Sequence, residues 1–177
     1  LLTLVVDILH LSQIKEGRPL GDIDVHDLVT KTRSDSKPYL EEATAKGLSL
    51  SLDLPASPMR VRIDLQAYHL ILSNLISNAI KYTPSGSVQV VLRRQEPWAV
   101  LRVRDTGIGI PEADISRIFV EFYRASNARR SQIPGTGVGL TGVKALVERF
   151  DGELELVTGE NQGSEFTVRL PLFKEEA

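Results

Sequence analysis

The order in which strand and helix patterns follow one another constrains the fold of this 177-residue chain more than any other feature. Five segments alternate apolar and polar residues with the two-residue period of a half-buried strand: residues 48–54, 88–93, 99–105, 153–158 and 165–170. Residues 64–83 and 140–150 instead have the spacing of amphipathic helices. This order predicts an α+β fold, a two-layer α/β sandwich in which helices pack on one face of a mixed, mostly antiparallel sheet.

The amino-terminal residues have a separate helical pattern. An apolar seam recurs there at spacings of three and four residues: Leu1, Leu4, Ile8 and Leu11. The seam predicts a helical stub over residues 1–17, which Gly17 ends. Two heptads are too few to form a coiled coil, so we expect the stub to be the end of a longer helix that packs against other helices.

Residues 18–24 are expected to form a linker, and residues 25–174 a single domain. Within this domain, residues 25–45 have a helical pattern that contains Pro38. Proline lacks the backbone N–H that a helix interior requires. The sequence therefore predicts a helix over residues 25–45 that is broken or kinked near Pro38.

Composition excludes several classes of protein. The net charge is −2 with both signs interspersed, which disfavours binding to nucleic acid or to an anionic membrane surface. The chain has no cysteine, which excludes disulfides and thiolate metal sites and fits a reducing, cytoplasmic location. No apolar run approaches the roughly 20 residues that span a bilayer, so we expect no membrane contact by these residues.

The helix over residues 64–83 carries a polar stripe opposite its apolar face. Asn74, Asn78 and Lys81 lie within this stripe. Amide oxygens suit a magnesium ion that is also held by nucleotide phosphates, and a nearby lysine neutralises phosphate charge. The alternative is an ordinary solvated stripe, because exposed Asn and Lys are common on helices.

Asp105 is the second candidate. In the strand over residues 99–105 it falls on the same face as the apolar side chains, so it points into the interior. A buried carboxylate needs a partner, and the exocyclic amine of adenine is a suitable donor. Gly107 and Gly109 follow and allow the backbone to approach a flat ring closely. The alternative is a simple turn after a strand.

A third candidate is the glycine-rich loop over residues 135–140, which opens directly into a helix. Free N–H groups and the helix dipole at such a point can receive phosphates. Arg124, Arg129 and Arg130 precede the loop and could fold over a nucleotide as a basic lid. The alternatives are a flexible hinge for the loop and ordinary surface charge for Arg129 and Arg130.

Taken together, these segments resemble the sensor histidine kinases of the GHKL ATPase superfamily. Five motifs carry the resemblance: NLISNAIKYTPSG (74–86) is similar to the N box, DTGIGI (105–110) to the G1 box, IFVEFYR (118–124) to the F box, GTGVGL (135–140) to the G2 box and GSEF (163–166) to the closing motif. Residues 1–17 resemble the end of the second helix of the dimerisation and phosphotransfer domain. The resemblance implies a Bergerat-type sandwich that binds adenine between its layers, under a mobile lid.

The resemblance also implies roles for individual residues. Asp105 would bind the adenine amine, Asn78 and Asn74 would hold Mg²⁺, and Lys81 and Arg124 would contact phosphates, so that Asn74, Lys81 and Arg124 would support catalysis. Phe119 and Phe122 would anchor the base of the lid. The other residues implied to bind ATP or ADP are Tyr82, Gly107, Gly109, Ile110, Phe122, Gly135, Thr136, Gly137, Val138, Gly139, Leu140 and Ser164.

The implied function is that of a histidine kinase catalytic domain, which positions Mg-ATP for transfer of the γ-phosphoryl group to a histidine on the dimerisation domain. Its partners would be that domain, in a homodimeric parent, and a response regulator, while this chain alone could be monomeric. His10, His26 and His69 do not match the family's phosphoacceptor motif, so we expect no autophosphorylation by this chain alone. The alternatives are a pseudokinase that serves protein contacts and a self-contained ATPase, although relatives that hydrolyse ATP carry Glu where this chain has Asn74.

Overall fold

The structure is a computed structural model that describes residues 2–174, together with the side chains of all of these except residues 2–4 and 7. In chain order its elements are α1 (Leu2–Lys15), β1 (Ile23–Asp27), α2 (Leu28–Ala45), β2 (Ser49–Asp53), β3 (Arg60–Asp64), α3 (Leu65–Lys81), β4 (Ser87–Gln95), β5 (Trp98–Asp105), α4 (Glu112–Ile115), α5 (Ser126–Arg130), α6 (Gly139–Arg149), β6 (Glu153–Thr158) and β7 (Ser164–Pro171). None of the helices in this described part is long and apolar enough to cross a bilayer.

The predicted two-layer α/β sandwich is confirmed. Five strands form the main sheet in the order β2-β4-β5-β7-β6, and only the pairing of β2 with β4 is parallel. Helices α2, α3 and α6 pack on this sheet. The inward side chains of the central strands are apolar and buried, as the two-residue period predicts: Val88, Val90, Leu92, Ala99, Leu101, Val103, Phe166, Val168 and Leu170.

Helix α3 begins where the sequence predicts. The carboxylate of Asp64 caps it by accepting hydrogen bonds from Gln66 N at 2.8 Å and Ala67 N at 3.2 Å. The other carboxylate oxygen accepts from Leu20 N and Gly21 N, so Asp64 also fixes the segment before β1. The apolar face of α3 fills the centre of the core with Tyr68, Ile71, Leu72, Leu75, Ile76, Ala79 and Ile80.

The first three residues of the predicted helix over residues 25–45 are not helical, and the prediction is wrong there. Residues Ile23–Asp27 form β1, which pairs antiparallel with β3 in a second, two-stranded sheet. Helix α2 starts only at Leu28, because the Asp27 carboxylate caps it through Val29 N at 3.1 Å and Thr30 N at 3.3 Å. Strand β1 begins within the expected linker, and β3 has no counterpart among the predicted strands.

Helix α2 runs without interruption from Leu28 to Ala45, so a break at Pro38 is wrong, while a kink there stays a prediction. Pro38 has no N–H and so removes one hydrogen bond of the helix. Packing of α2 against α3 and β2 holds the helix on both sides of this position, and Ala43 beyond it is fully buried.

Helix α1 packs against α6. Leu11 and Ile14 are buried, whereas Ile8 of the predicted seam is exposed. The Arg149 guanidinium donates to Arg18 O at 2.6 Å and to Gly17 O at 3.0 Å, which ties the end of this segment to α6. Leu1 and the side chain of Leu4, also predicted for the seam, lie outside the described part of the structure.

Candidate functional site

The main cavity lies between α3, the end of β5 and the segment that leads into α6, and its volume is about 310 Å³. This volume is at the lower end of the range for small-molecule sites. Most of the residues that the sequence singles out line it: Asn74, Asn78, Lys81, Tyr82, Asp105, Gly109, Ile110, Arg124, Gly135, Thr136, Gly137, Gly139, Leu140 and Ser164. An apolar part of the wall is formed by Leu75, Ala79, Val103, Ile118 and Phe166.

Asp105 is the buried carboxylate of the cavity, and its residue is only 7% exposed. One oxygen, Oδ1, accepts hydrogen bonds from Gly107 N at 2.8 Å and from Ser164 N at 3.3 Å. Neither bond uses the second oxygen, Oδ2. Burial raises the pKa of this carboxyl above its ordinary value of 3.8, although the two N–H donors act in the opposite direction. A hydrogen-bond donor on a ligand could pair with this second oxygen.

The glycines after Asp105 allow the backbone to fold closely around this carboxylate. A Cβ atom at Gly107 would clash with the carbonyl oxygen of Tyr82. Gly109 has φ +60°, and a Cβ there would clash with Gly159 O. Ile108 N donates to Tyr82 O at 3.0 Å, which holds the loop against the end of α3. Residues 105–110, called the G1 loop below, therefore need glycine at both positions.

The two amides predicted to hold a metal ion differ in their surroundings. The side chain of Asn78 lines the cavity and has no hydrogen bond to any residue of the described chain. Asn74 donates from Nδ2 to Leu70 O at 2.8 Å, and its Oδ1 packs closely against Gly139. Asn78 is thus ready to bind a ligand, whereas Asn74 already supports the loop before α6.

Two cations and a phenol converge on Gly135 at the mouth of the cavity. A Cβ placed on Gly135 would lie 3.3 Å from Tyr82 Oη, 3.4 Å from Lys81 Nζ and 3.7 Å from Arg124 Nε. The Lys81 ammonium also lies 4.9 Å from the centre of the Tyr82 ring. Burial raises the pKa of the Tyr82 hydroxyl, and the neighbouring Arg124 charge opposes this rise.

Arg124 shows that this cluster is incomplete within the protein. Its Nη2 donates to Ile133 O, but its Nε is buried without a hydrogen-bond partner among the described residues. A buried N–H of a cation that lacks an acceptor is costly. An anionic group at the mouth of the cavity would supply the acceptor.

The backbone of the glycine-rich loop packs directly against the backbone of residues 122–123. Gly137 has φ +74°, and a Cβ there would lie 2.6 Å from Phe122 C and 2.7 Å from Tyr123 O. Its carbonyl accepts from Phe122 N at 2.9 Å. The loop ends at Gly139, the first residue of α6, so that the amino terminus of an 11-residue helix adjoins the cavity.

Three predicted ligand-binding residues do not line the cavity. Phe122 is 58% exposed and has φ +62°. Val138 is 2% exposed and lines a small crevice beside α1, where its side chain is covered. Gly107 does not line the cavity, and its N–H donates a hydrogen bond to the Asp105 carboxylate.

Arg129 and Arg130 are exposed, and Arg130 pairs with Glu160 at 3.1 Å.

A polar cluster that the sequence did not indicate reaches the cavity wall, which Tyr123 and Asn127 line. Asp114 accepts hydrogen bonds from Tyr123 Oη and from Ser126 N and Oγ, the last two at 2.7 Å. These donors, the Tyr123 hydroxyl first, hold the pKa of the Asp114 carboxyl below its ordinary value. Asn127 donates to Gly109 O at 2.9 Å. The only sequence signal was the position of these polar residues on both sides of the F box, because their contacts depend on tertiary folding.

Comparison with known proteins identifies the family of the chain. Residues 63–174 match the family model described as histidine kinase-, DNA gyrase B- and HSP90-like ATPase. The circadian input-output histidine kinase CikA of Synechococcus elongatus is 38% identical over 97% of this chain and 23% of its own length. The sensor histidine kinase RcsC of Escherichia coli is 32% identical over 98% of this chain and 18% of its own length. The chain therefore spans about a fifth of the length of these relatives.

Solved structures show the same fold. Full-length ShkA, solved in complex with AMPPNP, has a TM-score of 0.82 at 24% identity, over 99% of this chain and 36% of its own. The mycobacterial sensor histidine kinase MprB has a TM-score of 0.71 at 25% identity, over 84% of this chain and 98% of its own. Because the family model covers more than half of the sequence and the fold agrees, the chain belongs to the family of histidine kinase-, DNA gyrase B- and HSP90-like ATPases.

Proposed function

We propose that this chain is the ATP-binding catalytic domain of a two-component sensor histidine kinase. In this proposal it binds Mg-ATP in the main cavity and positions the γ-phosphoryl group for transfer to a histidine of a dimerisation and phosphotransfer domain. The parent protein, either membrane-anchored or soluble, would be a homodimer that acts in the cytoplasm and passes the phosphoryl group to a response regulator. The observation that carries the proposal is the buried Asp105 carboxylate, whose Oδ2 accepts no hydrogen bond from the described residues, in the same cavity as the Lys81 and Arg124 cations.

The residues of the cavity fit the parts of ATP. The unpaired oxygen of Asp105 would accept from the adenine amine, while the apolar wall would cover the ring. Lys81 and Arg124 would pair with phosphate oxygens, and the bare Nε of Arg124 would gain its missing acceptor. The carbonyl oxygen of the Asn78 amide would bind Mg²⁺, which when bound neutralises phosphate charge.

Transfer is favoured over hydrolysis by the identity of residue 74. An amide is not a general base at neutral pH, and the Asn74 amide is held by Leu70 O and packed on Gly139. None of the three histidines lines the cavity, and His69 instead contacts the Asp35 carboxylate at 2.9 Å. Catalysis would then rest on positioning and charge neutralisation of ATP until an external histidine arrives.

The base specificity of the cavity tests this proposal. Isothermal titration calorimetry should show saturable binding of Mg-ATP and Mg-ADP. Mg-GTP should bind at least about 100-fold more weakly, because guanine presents a carbonyl oxygen where adenine presents the amine that Asp105 accepts. Absence of binding by a well-folded sample would reject the proposal, and equal affinities for ATP and GTP would reject the role of Asp105.

A further inference from the structure

The G1 loop and the segment that covers the cavity are joined by one buried amide. Asn127, on α5, is 7% exposed. Its Nδ2 donates to Gly109 O at 2.9 Å and more weakly to Ile108 O at 3.4 Å, while its Oδ1 accepts from Ala128 N at 2.9 Å. Both ends of the amide are therefore satisfied. Among the described residues Gly109 O has no other donor, whereas Ile108 O also accepts from Asn161 N.

Helix α5 depends on such contacts for its position. It has five residues, which is too short for a helix to be stable by itself. At its first residue, Ser126 N and Oγ both donate to Asp114 at 2.7 Å. Asp114 and Asn127 therefore fix two successive residues of α5. Among the described residues, only Asn127 makes a hydrogen bond from α5 to the loop that contains Asp105.

We propose that Asn127 is a positioning residue, the latch through which the G1 loop holds the lid, residues 125–138, over the phosphate-binding end of the cavity. This inference rests on the proposed function. The latch requires an amide, because Gly109 O is an acceptor and needs a donor, while Ala128 N is a donor and needs an acceptor. Asn127 thus connects the loop that binds the base to the lid whose loop residues, including Gly135, face the cations.

If Asn127 holds the lid, its substitution should weaken the binding of ligands with phosphates more than the binding of ligands without them. A carboxylate at position 127 has the shape of the amide but turns an acceptor towards Gly109 O. The lid would then leave the phosphates uncovered, whereas Asp105 and the apolar wall would still bind adenosine. We expect N127D to weaken Mg-ADP binding by about tenfold, the effect of losing one buried hydrogen bond, and to weaken adenosine binding by much less.

The experiment compares N127D with N161D as the matched control. Asn161 is exposed and has φ +61°, which Asp also tolerates, and it contacts the same loop only through its backbone N. NMR titration gives the affinities of each variant for Mg-ADP and adenosine. Hydrogen exchange of the nucleotide-free protein should show faster exchange of the α5 amides in N127D alone, with unchanged exchange in β5.

Three results would overturn the latch: unchanged Mg-ADP affinity in N127D, equal losses for adenosine and Mg-ADP, or unchanged exchange of α5. The neutral N127A variant repeats the test if the buried carboxylate prevents folding. If the wild-type protein binds neither ligand, the proposed function fails, and the exchange measurement still decides whether Asn127 holds the lid on the G1 loop.

Discussion

At the scale of single residues, the site depends on groups that the protein leaves without a complete set of partners. Among the described residues, Asp105 Oδ2 accepts no hydrogen bond, and the buried Arg124 Nε has no acceptor. Burial of the Asp105 carboxylate and of the unpaired Arg124 Nε costs stability in the empty protein. A ligand that supplies an amine to Asp105 and an anionic group to Arg124 would offset both costs. Such incomplete pairing distinguishes a binding site from a packed core.

The first prediction is that D105N stabilises the empty protein at neutral pH. Burial raises the folded-state pKa of Asp105 above its ordinary value of 3.8, so the folded state binds this proton more tightly than the unfolded state. The wild-type protein therefore loses stability as the pH rises from about 3.8 through the folded-state pKa. Urea unfolding should show the variant to be more stable at pH 7, with a smaller difference at pH 4. Equal destabilisation of D105N at pH 7 and pH 4 would show that burial of the charged Asp105 carboxylate does not lower the stability of the wild-type protein.

At the scale of elements, short segments are placed by tertiary contacts and longer ones by their own pattern. The amphipathic pattern of α3 and the inward face of β5 follow from spacing alone, so the sequence predicts them correctly. Strands β1 and β3 have five residues each, and their pairing is visible only in the folded chain. The contacts of Asn127 join residues 18 positions apart, and no local pattern marks them.

The second prediction concerns the loop before α6. G137A should weaken Mg-ADP binding at least tenfold, because the positive φ strains alanine and its Cβ would meet Phe122 C at 2.6 Å. G47A is the matched control, since Gly47 has φ +78° with open space around it. The control should lose about 1 kcal/mol of stability from backbone strain and keep its affinity. Similar affinities of the two variants would show that the close approach at Gly137 is unimportant.

At the scale of the whole molecule, the proposed function makes the chain a binding unit whose chemistry needs another protein segment. The fold class and the inward orientation of Asp105 were predictable from periodicity. The lid was predictable only in outline, because Phe122 faces solvent and Val138 packs beside α1 instead of lining the cavity. A turn with positive φ, such as that at Phe122, interrupts the regular apolar spacing of a helix or strand. The direction of its side chain therefore cannot be derived from the sequence pattern.

The third prediction is that the chain alone leaves ATP intact. Asn74 is not a general base, and none of the three histidines lines the cavity. A coupled phosphate-release assay with Mg-ATP should give a rate no higher than that of a D105N sample, and labelled ATP should leave no acid-labile label on the chain. Steady release well above this control would instead favour a self-contained ATPase.

The most direct measurement of the central claim is a calorimetric titration of wild-type protein and D105N with Mg-ADP, side by side at pH 7. In the variant, Gly107 N and Ser164 N would still occupy the single amide oxygen, so the NH₂ group would face the adenine amine, a donor opposite a donor. We predict saturable one-site binding by the wild-type protein and a loss of at least about 100-fold in affinity in a variant that is folded and no less stable. Unchanged binding by D105N, or no binding by the wild-type protein, would contradict the account.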